Sequence, residues 1–168
     1  MKFEFRKAEM SDFEPIWEII SDAKESRRLE GSSQWQDGYP NEDSIRNDIQ
    51  NHYGFVMTYQ GIIYAYSAVI FAIEPAYEAI EGQWITDGEY AVVHRMAVAR
   101  QAKGKGIGKI LLEYIENYIL EKKYPSIRID TNFDNIAMLK ILEKEEYVYC
   151  GEVYFRGSAR KAFEKKIK

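Results

Sequence analysis

The chain has 168 residues, room for one domain with a real core and too few for two comfortable ones. With 46% hydrophobic and 30% charged residues it is not a disordered chain, and a net charge of −4 argues against a general nucleic-acid binder, which needs a basic face. One cysteine, Cys150, excludes an internal disulfide and a zinc site built on several thiolates, and no metal site is expected.

No apolar run reaches about 18 residues, so no membrane-spanning helix is expected. No charged-then-apolar leader precedes the first expected strand, so a cytoplasmic location is expected. Aromatic residues reach 14%, with 13 tyrosines among them; half-buried strand positions are a simpler account of these than a ligand groove.

Phe3 and Phe5 alternate with polar neighbours and predict a short first strand. Ser11 with Glu14 has the form of a capping box, and Phe13, Ile16, Trp17 and Ile20 follow at helical spacing, predicting a helix over 12–28. Residues 30–40 read as a loop, and Asn41 can cap a second helix through Ile45 and Ile49, ended by Gly54. Residues 55–59, the Gln60-Gly61 turn and residues 62–73 predict a hairpin. An acidic loop over 74–89 leads to a strand over 90–98. Ile107, Ile110, Leu111, Tyr114, Ile115, Tyr118 and Ile119 then share one helical face, and Pro125 stops that helix. A strand over 126–131, a helix over 135–145 and strands near 147–155 and 159–167 complete the chain. The lysine-rich end, 161–168, reads as a solvated strand edge or end. The order βααβββαβαββ predicts a mixed α/β (α+β) sheet in one domain over 1–168.

The most specific feature is Lys103-Gly104-Lys105-Gly106-Ile107-Gly108-Lys109, inside which a helix starts. Glycines at every second position let backbone N–H groups point at one ligand with no Cβ in the way. The first turn of a helix adds unpaired N–H groups and partial positive charge, so the run is a seat for phosphate oxygens. It is not a P-loop: three residues separate Gly104 from Gly108, and Ile110 stands where Ser or Thr would hold magnesium. A dinucleotide fingerprint fits poorly, because the pattern is G-x-G-x-G, it begins some residues past Val98, and no second βαβ half follows.

The segment Val98-Ala-Arg-Gln-Ala-Lys-Gly-Lys-Gly-Ile-Gly-Lys-Ile-Leu-Leu resembles the acetyl-CoA signature of the GNAT superfamily of N-acetyltransferases. That signature, Gln/Arg-x-x-Gly-x-Gly/Ala, can be laid on Lys103 to Gly108 or on Gln101 to Gly106; the first puts Gly108 directly before the amphipathic run. The resemblance extends over nearly the whole chain. It implies a mostly antiparallel sheet with splayed central strands flanked by helices, and acetyl-CoA as co-substrate. It further implies that backbone groups of Met96, Ala97 and Val98 pair with the pantetheine arm, that amides of Lys103, Gly104, Lys105, Gly106, Ile107, Gly108 and Lys109 hold the diphosphate, and that Asn135 hydrogen-bonds the pantetheine.

Acyl transfer to an amine needs a neutral amine, a donor for the developing oxyanion and a fate for the leaving thiolate. His94 is the candidate base: it lies on the strand two residues before the pantetheine positions, and an ordinary imidazole titrates near pH 6.5. In the arylalkylamine branch of the family a histidine at this place is implicated as base. The family's usual Tyr acid is replaced here by Leu142, in Ile141-Leu142-Glu143-Lys144, which leaves Tyr149, water or unassisted departure of the thiolate. Trp35 and Tyr39 in the early loop and Trp84 in the acidic loop are candidate contacts for a small cationic amine, since aromatic faces and carboxylates suit one. Two other readings stay open: a catalytically weak acyl-CoA-binding sensor or interaction module, and a protein or peptide amine acetyltransferase. The last strands could also pair two copies into a homodimer.

Overall fold

A computed structural model describes residues 2–167. The chain packs as two compact units, one taking the chain up to Val69 and again Arg95–Leu112, the other Ile70–His94 and the chain from Glu113 onward.

In the first unit, β1 (Glu4–Lys7), β2 (Gly54–Tyr59) and β3 (Ile62–Ile70) form an antiparallel meander; of β5 (Ala91–Val98), the half from Arg95 onward belongs to this unit and lies next to β3. The register runs from Glu4↔Thr58 to Lys7↔Phe55 and from Gly54↔Ala68 to Tyr59↔Ile62, with a bulge between Met57 and Thr58. The helices are α1 (Phe13–Leu29) and α2 (Glu42–Gln50). Phe13, Ile16, Ile19 and Ile20 form the buried stripe of α1, and Ile45 and Ile49 that of α2. They meet a core with Phe55, Met57 and Tyr66. Asn41 caps α2 as expected, accepting from Ser44 N–H at 2.9 Å. The expected Ser11–Glu14 box does not form. Arg6 draws Asp12 into a paired fork at 2.8 and 3.0 Å, and Asp12 closes a box with Glu9 around a 3₁₀ turn, Met10–Asp12.

In the second unit the strand order is β5, β6 (Ser126–Thr131), β8 (Ser158–Lys166), β7 (Val148–Phe155) and β4 (Glu81–Gly82). β5 and β6 run parallel but pair only from Ala91↔Ile127 to Val93↔Ile129. β6 stays paired with β8 through Thr131, so its last two residues have lost β5 and kept β8. β8 lies between β6 and β7, which corrects the expectation of an edge: the lysines alternate with buried Ala162 and Glu164, and only their outer faces are wet. The acidic loop is also more ordered than expected, holding a short helix α3 (Pro75–Glu78) and β4, and β3 ends at Ile70 rather than near 73. Of α4 (Ile107–Glu121), the turns in this unit bury Ile115 and Ile119; α5 (Ile136–Lys144) buries Leu142. No helix among the described residues is long and apolar enough to cross a membrane.

Candidate active site

The glycine run folds as a turn whose backbone only glycine adopts readily. Gly104 and Gly106 sit at φ +78° and +73°, and a Cβ at either would point into open space. Alternating left-handed residues gather successive N–H groups into a concave nest, and α4 begins at once at Ile107. The first turn of α4 adds N–H donors and the positive end of the helix dipole at the same spot. The turn is clipped to α1: Arg100 pairs with Asp22 at 2.8 Å, and the Lys103 ammonium donates to Ser26 Oγ at 2.6 Å. These donors and this open cradle fit a diphosphate.

Just upstream, Arg95 interrupts β5 with φ +56°, beyond which run Met96, Ala97 and Val98. Its guanidinium holds Asp48 of α2 through a fork of 2.8 and 2.7 Å, and Tyr66 donates to the same carboxylate at 2.6 Å. Burial works against the Arg95 charge, but Asp48 outweighs it and raises its pKa; burial and the Asp48 charge push the Tyr66 hydroxyl up. Arg95 also donates to the Tyr39 hydroxyl, and Lys24 donates to the Pro40 carbonyl at 2.8 Å. The loop carrying Tyr39 and the half-buried Trp35 is therefore tied to β5 and α1, with Trp35 itself at φ +63°.

In the second unit His94 stands at the end of the parallel ladder, among groups from four elements. Its Nε2 lies 3.2 Å from Glu74 Oε1, and its Nδ1 3.8 Å from Asp130 Oδ1 on β6. Tyr77 of α3 donates to Asp130 at 2.6 Å, with its ring 6.0 Å from that of His94; Phe155 of β7 meets the imidazole edge-on. Burial first, and then the Asp130 carboxylate, push the Tyr77 hydroxyl far above the ordinary phenol range, so it stays a neutral donor. Arg160 of β8 approaches Asp130 at 3.9 Å. Such an assembly can move a proton and hold a positive charge.

A cleft of about 780 Å³ opens beside this cluster, lined by Phe71, Trp84, Tyr90 and Tyr124 and by the carboxylates of Glu78, Asp87 and Glu89. Tyr77 lines it as well, and the Tyr90 hydroxyl meets both Glu78 and the Glu74 N–H at 3.1 Å, so the cleft wall and the His94 cluster share residues. Trp84 is fixed by its indole N–H to the Tyr77 carbonyl at 2.8 Å and by stacking on Arg128.

A model of the Acetyltransferase (GNAT) family matches residues 13–145. A GNAT-family acetyltransferase structure from Streptococcus agalactiae is 37% identical, with 98% of this chain and 95% of that one aligned at a TM-score of 0.89. The chain belongs to the GNAT acetyltransferase family. The fold alone is shared with a Listeria monocytogenes GNAT structure at 18% identity (98% and 94% covered, TM-score 0.78) and with a Salmonella typhimurium protein solved with its cofactor acetyl-CoA at 12% identity (100% and 95% covered, TM-score 0.70). No curated protein gives a significant match. As a GNAT N-acetyltransferase, the protein takes acetyl-CoA as its co-substrate.

The remaining GNAT candidates are placed as follows. Asn135 caps α5, its side-chain oxygen accepting from Met138 N–H at 3.2 Å. Leu142 is fully buried in α5, packed as core. Tyr149 stands half-exposed on β7, its ring against Phe163 and 5.8 Å from the Lys161 ammonium. The phenol that the fold brings to His94 is Tyr77. From the sequence, Glu74 and Tyr77 belong only to an acidic, aromatic loop suited to a cationic amine, and Asp130 only to a strand end; nothing in their spacing places them beside His94. Cys150 is buried, and burial pushes its thiol up, away from the reactive thiolate form.

Proposed function

We propose that this GNAT enzyme moves an acetyl group directly from acetyl-CoA to a small cationic primary amine, with the whole chain, 1–168, acting as one N-acetyltransferase domain in the cytoplasm. The observation that carries the acceptor class is the cleft of the second unit, where aromatic faces and three carboxylates adjoin the residues around His94. A cationic amine gains from both, the ring faces through cation–π attraction and the carboxylates through charge.

In this reading the glycine turn, residues 103–109, holds the diphosphate, the backbone of Met96, Ala97 and Val98 lies along the pantetheine, and Asn135 adds a hydrogen bond to it. Trp35, Tyr39 and Trp84 help to shape the acceptor's surroundings. His94 relays a proton from the ammonium, directly or through water, so that a neutral nitrogen can attack the thioester carbon. The thiolate leaves unassisted or takes its proton from water, with Tyr149 the weaker candidate donor, since Leu142 supplies none.

The test is thermal melting with acetyl-CoA, followed by an amine panel with detection of free CoA thiol. Saturation at about 100-fold the Kd adds roughly 2.7 kcal/mol of stability. Thiol release that depends on a small amine supports the reading. Stabilisation without release under any amine would make the protein an acyl-CoA-binding module, the role a buried Leu142 suits. Release with peptides and not with small amines would make the acceptor a protein.

A further inference from the structure

Both ring nitrogens of His94 face carboxylates, so an arriving ammonium does not meet the imidazole first. Nε2 lies 3.2 Å from Glu74 Oε1, and Nδ1 lies 3.8 Å from Asp130 Oδ1. A ring nitrogen and a carboxylate oxygen bond only through a shared proton, because each otherwise presents a lone pair. An ammonium aimed at Nε2 would have to displace Glu74. Side-chain exposure rises along the same line, from 6% at Asp130 to 15% at His94 and 23% at Glu74. Glu74 is the outermost of the three.

Glu74 is also held in place. Its Oε2 caps α3, accepting from Ala76 N–H at 3.4 Å, while its backbone N–H donates to the Tyr90 hydroxyl at 3.1 Å. Tyr90 in turn donates to Glu78, and both line the acidic cleft. One end of Glu74 is therefore bonded to the cleft wall, and the other is aimed at His94.

We propose that Glu74 is the general base that takes the acceptor's proton, with His94 behind it as the relay. This rests on the acetyl-transfer reading above. An ammonium N–H bond breaks as an O–H bond forms on Glu74. The neutral ring carries its own proton on Nδ1, toward Asp130, so Nε2 offers a lone pair; the proton passes from Oε1 to Nε2, leaving an imidazolium between two carboxylates and Glu74 ionised again. The amine lone pair forms the N–C bond to the thioester carbon, and the C–S bond breaks. A second N–H proton goes to the departing thiolate, giving the amide and the free thiol. His94 returns the first proton to solvent through Glu74, so each turnover releases one proton. The other groups facing His94 do not compete for this role: Tyr77 is locked as a donor to Asp130, Phe155 is uncharged, and Arg160 faces Asp130.

The experiment compares wild type with Glu74→Gln, Glu74→Asp and His94→Gln, using the full chain and saturating acetyl-CoA. Free thiol is followed from pH 5 to 9 with tyramine, spermidine and lysine as probes, and acetyl-CoA affinity is measured by calorimetry. Glu74→Gln keeps the size and an oxygen for the α3 cap but cannot take a proton. Its kcat should fall about 100-fold or more, as for His94→Gln, with loss of the acidic limb and unchanged acetyl-CoA affinity. Glu74→Asp should keep roughly a tenth or more of the wild-type rate, because the carboxylate remains, which separates chemistry from folding. A Glu74→Gln variant with wild-type kcat and pH profile would overturn the proposal while leaving acetyl transfer intact, as would equal loss in the Gln and Asp variants. If wild type releases no thiol with any probe, the small-amine reading falls and the proposal falls with it.

Discussion

Replacing Glu164 by Gln removes one buried charge and strands another. Glu164 is fully buried on β8. It accepts from Ser126 Oγ at 2.5 Å, from Ile85 N–H at 2.8 Å and from the Thr86 hydroxyl, and Arg128 Nε lies 3.2 Å away. Burial alone would push this carboxyl up. The hydrogen bonds and the Arg128 charge together outweigh burial and hold it below the usual range. A Gln amide keeps the volume but turns an NH₂ toward one set of these donors. The hydroxyls can rotate to accept from it; Arg128 Nε has no lone pair to offer. Removing one partner of a buried ion pair costs about 3–5 kcal/mol, and the retained amide oxygen places Glu164→Gln near 3 kcal/mol. At roughly 2–4 °C per kcal/mol for a chain of this size, Tm should fall by about 6–12 °C. The pH dependence has a definite sign. Because the folded pKa is depressed, the carboxylate's contribution is complete above the unfolded value near 4.3 and is lost as pH falls through the lower folded value. Urea melts of both proteins should therefore show a constant gap near neutrality that narrows below about pH 4. A gap under about 1 kcal/mol at pH 7, or one that widens on acidification, would refute the reasoning.

Two more predictions concern backbone contact and a buried pair. A Cβ on Gly151 would meet the Glu81 carbonyl oxygen at 2.2 Å from a backbone at φ +138°, so Gly151→Ala should destabilise by about 3 kcal/mol and, by hydrogen exchange, unprotect the Gln83 amide that now donates to Cys150 at 2.9 Å. Asp48→Asn leaves Arg95 buried without its carboxylate and should cost about 3 kcal/mol by denaturant titration, with acetyl-CoA affinity by calorimetry changing far less than on disrupting the glycine turn.

The parts of the fold legible in the sequence were those with a local physical cause. Period-3.6 stripes placed α1, α2 and α4, and the glycines at 104 and 106 were readable because φ beyond +70° is theirs to take. Asn41 declared its helix because capping needs only neighbours. What stayed hidden depends on distant partners. Ser11 lost its capping role because Arg6, on β1, claims Asp12. The lysine-rich end resembles an edge until its strand is inserted between β6 and β7.

The candidate site divides along the same line. His94 was readable from its place on a strand, but Glu74 lies 20 residues earlier and reaches it only because the acidic loop folds back through α3. Asp130 arrives by parallel pairing of β5 with β6, which no local pattern announces. Tyr149 was a candidate acid only because Leu142 stands in the usual tyrosine's place, whereas the hydroxyl beside the His94 cluster belongs to Tyr77, in a stretch that read as loop. Glu146 takes φ +65° just past α5, a conformation glycine adopts readily, and its sequence neighbours do not announce it.

Calorimetric titration of acetyl-CoA into wild type and into the Gly104→Ala, Gly106→Ala double variant tests the account most directly. Each added Cβ meets nothing in the protein, so the variant should fold with a strain cost of about 1–2 kcal/mol per site, while both methyl groups would intrude on the diphosphate seat proposed above. Wild type should bind, and the folded variant should bind at least about tenfold more weakly, a loss of about 1.4 kcal/mol. Equal affinity in the two proteins, or no heat of binding with wild type, would contradict the assignment of residues 103–109 as the diphosphate seat.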